Sequence, residues 1–146
     1  MKKFLLAAVF FLLAVLIIDR TDCLKVKNEF KIVKINGIEF QAQTASSSAQ
    51  RSRGLSGRKN LGDNCAMLFL FPQAGNYQFW MRGMKFDIDM IWVSGLEVVQ
   101  IDSNVSYERG ADEIRNSRVP ADKVMELPAG TAEKIGLRIG DKIEIK

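Results

Sequence analysis

Residues 79–92, Phe79-Trp80-Met81-Arg82-Gly83-Met84-Lys85-Phe86-Asp87-Ile88-Asp89-Met90-Ile91-Trp92, are apolar enough to build the middle of a domain, yet hold two aspartates one residue apart. Gly83 is the natural turn, giving one strand from Tyr77 to Arg82 and another from Lys85 to Val93. Side chains alternate faces along a strand. Met84, Phe86, Ile88, Met90 and Trp92 therefore share a wholly apolar face, which must be core. Lys85, Asp87, Asp89, Ile91 and Val93 share the other, polar at its start and apolar at its end. Asp89 falls at the border, where a carboxylate can be partly desolvated without prohibitive cost.

On one strand face the two carboxylates would lie roughly 6 to 7 Å apart. Their repulsion is then about 2.5 kcal/mol at an effective dielectric of about 20, and about 0.6 kcal/mol in water. On an open face Asp87 and Asp89 are a hydrophilic edge. On an enclosed one they need a cation, a shared proton, or neighbours such as Arg82 and Lys85. Ligand hydrogen bonding and acid/base work are the functional alternatives, but two acids on one strand do not by themselves flank a scissile bond. Trp80 and Arg82 share a strand face opposite Phe79 and Met81; indole beside guanidinium suits a sugar face or an anion, and equally a cation–π pair. Glu126, between Met125 and Leu127, would be exposed in a simple sheet and gains interest if it converges on Asp89.

Strand signals continue outward in both directions. FKIVKI and IEFQAQT flank Asn36-Gly37, a hairpin turn whose residues both tolerate positive φ. SSSAQRSRG offers serine caps, a short helix and Gly54 as its stop. AMLFLFP is a continuous apolar run closed by Pro72, fit for a strand buried on both sides. Ser94-Gly95 separates IWV from LEVVQI as a second hairpin. Residues 102–122 are polar, long and without period, which reads as a mobile loop. VMEL resumes strand character, Thr131 to Ile135 make a short helix ended by Gly136, and GDKIEIK closes the chain as a strand. About eight short strands and one or two short helices indicate a mainly β fold, a single β-sandwich or partly closed barrel.

The chain has 146 residues, enough for one domain with a core. Residues 1–23 stand apart: Lys2 and Lys3 precede an unbroken apolar run from Phe4 to Ile18. As a helix that run reaches roughly 22 Å, short of the roughly 30 Å hydrocarbon core, which matches a signal-peptide core. No small-x-small cleavage pattern follows, so the expectation is an apolar helix kept as a membrane anchor, or a secreted or periplasmic protein if it is cut. Lys2 and Lys3 would stay in the cytoplasm and residues 24–146 would form one extracytoplasmic domain.

There is no histidine. That removes the commonest general base and metal ligand and every Ser-His or Cys-His nucleophile pair. No metal or cofactor is implied. Cys23 and Cys65 are compatible with one disulfide in an oxidising compartment, or with two separate thiols. The net charge of +4 is modest, and the one basic cluster is Arg51, Arg53, Arg58 and Lys59. It reads as a solvated face or a weak attraction to anionic envelope surfaces, and no nucleic-acid partner is expected.

RGLSGRKNL, AMLFLF, FWMRGMKFDIDMIWV and VMELPAGTAEKIGLRIGDKIEI, in that order and spacing, resemble domain of unknown function family 192, small prokaryotic proteins often carrying an export signal. The resemblance covers about residues 38–146 and implies a jelly-roll-like β domain with no established activity. Gly54, Leu55, Met67, Leu68, Phe69, Phe79, Trp80, Met81, Asp89, Glu126 and Gly130 stand at its motif positions. Asp87 stands where the family usually has proline, so Asp89 is the better site candidate. The leading expectation is a non-enzymatic envelope domain binding a small polar ligand or a partner protein through Trp80, Arg82 and Asp89, with Glu126 and Asp87 as further candidates. Two alternatives are an acid/base hydrolase of envelope glycans, using Asp89 with Asp87 or Glu126, and a peptide-binding module resembling PDZ domains in its GLRIGDKIEI ending.

Overall fold

The structure, a computed structural model, describes residues 29–146. The N-terminal apolar segment lies outside them, as does Cys23 and hence any pairing with Cys65. The chain runs β1 (Phe30–Ile35), β2 (Ile38–Ala45), α1 (Ser48–Arg53), β3 (Cys65–Gly75), β4 (Gln78–Trp80), β5 (Ile88–Ser94), β6 (Glu97–Val105), a 3-10 turn (Gly110–Asp112), β7 (Ile114–Asn116), β8 (Ala121–Pro128), α2 (Thr131–Lys134) and β9 (Ile143–Ile145). No helix among the described residues is long and apolar enough to cross a membrane.

Seven strands form one sheet in the order β6-β5-β8-β3-β2-β1-β9, and β4 pairs with β7 in a separate ribbon. The first hairpin turn forms where the sequence places it, with Asn36 at φ 49° and Gly37 at φ 82°, whereas the second lies one residue later, at Gly95-Leu96, because Ser94 ends β5 in register with Glu97. The large sheet curls until its outer strands touch: Val98 N donates to Asp141 O (2.9 Å) and Ile143 N to Leu96 O (2.9 Å). A single curled sheet, closed at one end, thus takes the place of two stacked sheets. Its inner face gathers Val33, Ala42, Leu68, Ile91, Val98, Met125 and Ile143 into one buried cluster. Residues from the two ends of the strand order meet there only because the sheet curls.

The outer face is also dry over β3, β8 and β5. Met67, Phe69, Ile88, Met90, Trp92 and Val124 form a second cluster, completed by Leu55 and Met81. This explains why AMLFLF reads as an unbroken apolar run: β3 is flanked by β2, in parallel, and β8, and both its faces are covered. Burying one Leu- or Phe-sized side chain contributes about 1.5 to 3 kcal/mol. Covering both faces is therefore how a chain this short obtains enough core.

The structure corrects several local expectations. The strand does not end at Pro72 but runs to Gly75, with a register shift against β8 between Leu70 and Gly75 that accommodates a residue lacking an N–H. The first half of FWMRGMKFDIDMIW does not pair with the second. Gly83 turns the chain, but its carbonyl accepts from Gly57 N (2.8 Å), and β4 pairs with β7 instead of β5. Residues 102–122 are built structure and not a plain loop. Within them Glu113 is buried and ion-paired to Arg109 (3.3 Å) and Arg115, and from outside them Gln100 on β6 donates to Asn116 O (3.1 Å) and accepts from Arg118 N (2.8 Å). Long-range side-chain bonds of this kind leave no periodicity in a sequence.

Candidate functional site

The ribbon and α1 stand over the outer face, and the space between them is a cleft. Ser47 and Gln50 cap α1 reciprocally, and Gly54 ends it at φ +48°. Arg51 reaches back to donate to Leu70 O (3.1 Å) and lies 5.1 Å from the Phe71 ring centroid. Opposite, Phe79 points inward, edge-on to Phe69 (4.9 Å) and Trp92 (5.4 Å), and Tyr77 stacks on Phe71 at 3.6 Å. These contacts fix the ribbon, so alternation turns Trp80 outward. Trp80 is 48% exposed, and the Arg82 guanidinium sits 5.8 Å from its ring centroid.

The turn at Gly83 joins the two walls: Ser56 Oγ donates to Arg82 O (2.8 Å), and Gly57 N bonds the Gly83 carbonyl. Gly83 has φ +72°, and a Cβ there would lie 3.3 Å from the Ser56 Cβ. Gly83→Ala is therefore expected to cost about 1 to 2 kcal/mol through left-handed backbone strain and crowding of Ser56. Urea unfolding of the two proteins checks this, and equal midpoints would refute it.

Glu126 reaches the cleft from beneath. It lies on β8 between Met67 of β3 and Met90 of β5, and Met67 is in register with Gln43 of β2. Gln43, Met67, Glu126 and Met90 thus form one row across the outer face. The pocket that Glu126 lines has a volume of about 150 Å³ and is walled by Leu55, Phe71, Tyr77, Phe79, Trp80 and Met84. An adjoining hollow holds Gln43 and Arg58, and the two share Arg53, Gly54 and Ser56. Arg58 donates to the buried Gln43 side chain.

Glu126 is only 5% exposed, and its Oε2 has no hydrogen-bond partner among the described residues. Burial pushes its carboxyl up to about 8, while the positive charge of Arg58 pulls the other way. Burial likewise holds Arg58 below its ordinary value, opposed by attraction to Glu126. Desolvation wins for Glu126 because Arg58 spends its bond on Gln43 and forms no ion pair with the carboxylate among the described residues. At neutral pH Glu126 is thus mainly an uncharged acid, able to donate a proton in a hydrogen bond.

The sequence candidates divide between two sides of the sheet. Trp80 and Glu126 share the cleft, with Arg82 against Trp80. Asp89 and Glu126 do not converge: Asp89 is in register with Leu127 and Glu126 with Met90, so they face opposite sides. Asp89 is not at a wet border either. It is fully buried, Oδ1 accepting from Asn104 N (2.8 Å) and Gly130 N (3.1 Å), and Oδ2 from Ala132 N (2.7 Å). Asp87 precedes β5 and accepts from Tyr107 N (3.0 Å), so the two aspartates do not sit side by side on a strand. Glu126, expected at an exposed position, is buried because α1 and the ribbon cover its face. Sequence reasoning missed Gln43, Arg53 and Arg58; the only signal was the basic cluster, which a solvated face explains equally well.

No curated protein matches the chain by sequence. Solved structures are similar to it, among them the following two. One, from Sinorhizobium meliloti 1021 and described as a "putative transcription regulator", is 26% identical, with a TM-score of 0.75 over 83% of this chain and 97% of its own. The other, a protein of unknown function from Novosphingobium aromaticivorans DSM 12444, is 30% identical, with a TM-score of 0.71 over 80% of this chain and 84% of its own. Residues 31–145 match domain of unknown function family 192 (DUF192), described as an uncharacterized ACR, and the chain belongs to that family.

Proposed function

We propose that the domain is a non-enzymatic binding module whose cleft, lined by Trp80 and Glu126 with Arg82 at its rim, receives a small polar ligand, and that the N-terminal segment tethers it on the outer side of the membrane. The observation that carries this reading is Glu126, a residue lining a ring-sized pocket whose buried Oε2 has no hydrogen-bond partner among the described residues. Buried polar groups are nearly always satisfied, and one that is not, at the wall of a pocket, is matched by what enters it. Hydrolysis is less well supported. A general acid and base must flank the same bond, and Glu126 and Asp89 lie on opposite faces of the sheet.

The test is a thermal-unfolding screen of the full chain against sugars, organic acids, peptides and metal ions. A ligand at a hundredfold excess over its dissociation constant stabilises the fold by about 2.7 kcal/mol. Trp80→Ala, at a half-exposed position, is expected to cost less than about 1 kcal/mol on its own and to abolish the ligand-induced shift. A blank screen, or a shift that survives both Trp80→Ala and Glu126→Leu, would sink the proposal.

A further inference from the structure

We infer that the cleft selects a small monoanionic acid with a flat apolar body, its carboxylate accepting a hydrogen bond from Glu126 and facing Arg53 while its ring lies among Phe71, Tyr77, Phe79 and Trp80. This rests on the cleft being a binding site and adds the chemical class of its occupant.

Size sets the first limit. A pocket of about 150 Å³ is the volume that takes one benzene-sized ring. The walls set the second, since stacked and edge-on aromatic rings favour a flat apolar body over a polyhydroxylated one.

Charge decides the head group. Among the described residues Glu126 is the sole acidic one lining either hollow, whereas Arg51 lines the first, Arg58 the second and Arg53 both. Arg51 is occupied by the Leu70 carbonyl and the Phe71 ring, and Arg58 by the Gln43 side chain, so that Arg58 contributes its charge from the adjoining hollow. The Arg53 side chain has no hydrogen bond or ion pair among the described residues, and Arg53 borders both hollows. An amine would have to ionise a buried carboxyl and sit among three guanidinium groups. A neutral ligand would leave their field unused. An anion is attracted by the arginines and also supplies the acceptor that a protonated carboxyl needs. The raised value of the Glu126 carboxyl agrees with this arrangement.

The pH dependence follows. The titratable or charged groups lining the pocket with Glu126 are Arg51 and Arg53 from α1 and Tyr77 before β4, and Arg58 acts on it across the row. Glu126 loses its proton near pH 8, and its ionisation would set two carboxylates against each other.

The experiment is calorimetric titration of the full chain, at pH 6.5 and pH 9, with phenylacetate, 2-phenylacetamide and phenethylamine, which share one body and differ in head charge. Phenylacetate is expected to bind at pH 6.5 at least tenfold more tightly than the amide or the amine, and to weaken at least tenfold at pH 9. Glu126→Gln keeps a donor and should retain binding while flattening the pH dependence; Glu126→Leu, which has no donor, should lose it. Tighter binding of amide or amine, lost in Trp80→Ala, would overturn the anionic class and leave the cleft reading standing. Absence of binding by all three probes up to millimolar concentration would also overturn the class, whereas the cleft reading falls only if the broad ligand screen is blank as well.

Discussion

At pH 8 the Glu126→Gln protein is expected to resist urea better than wild type, and below pH 5 the two should unfold alike. The unfolded chain gives up the Glu126 proton near the ordinary value of 4.5, and the folded chain holds it to about 8. Between these values the native state binds more protons than the unfolded state, so stability falls as pH rises. The contribution is fully present below about 4.5, declines through the neutral range and is gone above about 8. A shift of this size corresponds to a loss on the order of 5 kcal/mol across that window. That is a large fraction of the 5 to 15 kcal/mol typical of a domain. Glutamine has nearly the same shape and nothing to ionise, so its stability should be flat where that of wild type slopes. The check is a pair of urea series at pH 5, 6.5 and 8. Parallel slopes for the two proteins would mean that Glu126 is ionised in the fold, and would remove the basis for treating it as a hydrogen-bond donor. Such a persistent cost between two buried methionines is the kind of strain that sites retain for a ligand.

The fold was legible where local physics fixes structure. Asn36-Gly37 specifies its turn by backbone conformation, Ser47 and Gln50 specify a helix start, and the alternation of Ile88, Met90 and Trp92 against Ile91 and Val93 appears in the structure as two faces. The curl of the sheet was only half legible, because strand number and turn spacing permit a sandwich or a barrel alike. The pairing of β4 with β7 was not legible at all. It depends on Gly57 capturing the Gly83 carbonyl and on Phe79 finding Phe69 and Trp92, contacts between segments far apart in the chain. The site suffered from the same gap. Trp80, Arg82 and Glu126 stand out by residue type, but burial of Glu126 follows from α1 lying over β8. Asp89 drew attention for a sound reason, a carboxylate in an apolar strand, and the structure supplies an architectural explanation for it.

Asp89→Asn is expected to destabilise the fold by about 2 to 4 kcal/mol, whereas Asp87→Asn should cost less than about 1 kcal/mol. The carboxylate of Asp89 receives three backbone N–H groups, from Asn104 on β6 and from Gly130 and Ala132 at the start of α2. Ala132 belongs to the inner core, so this one side chain holds α2 at an end of the curled sheet. A four-residue helix has too few internal bonds to stand alone and needs such an external acceptor. An asparagine offers one oxygen where the aspartate offers two. Turned to keep Asn104 and Gly130, it presents an amide N–H to the N–H of Ala132, leaving both donors buried and unpaired. Each such donor costs about 1 to 3 kcal/mol. Asp87 is only partly buried and serves the single N–H of Tyr107, which water can replace. Urea unfolding measures the difference, and amide hydrogen exchange locates it: protection should fall first at Asn104, Gly130 and Ala132 in the Asp89 variant. Equal stability of the two variants would show that the three bonds contribute nothing. A loss of ligand binding without a loss of stability in Asp89→Asn would return that residue to the binding site and displace Glu126 from its centre.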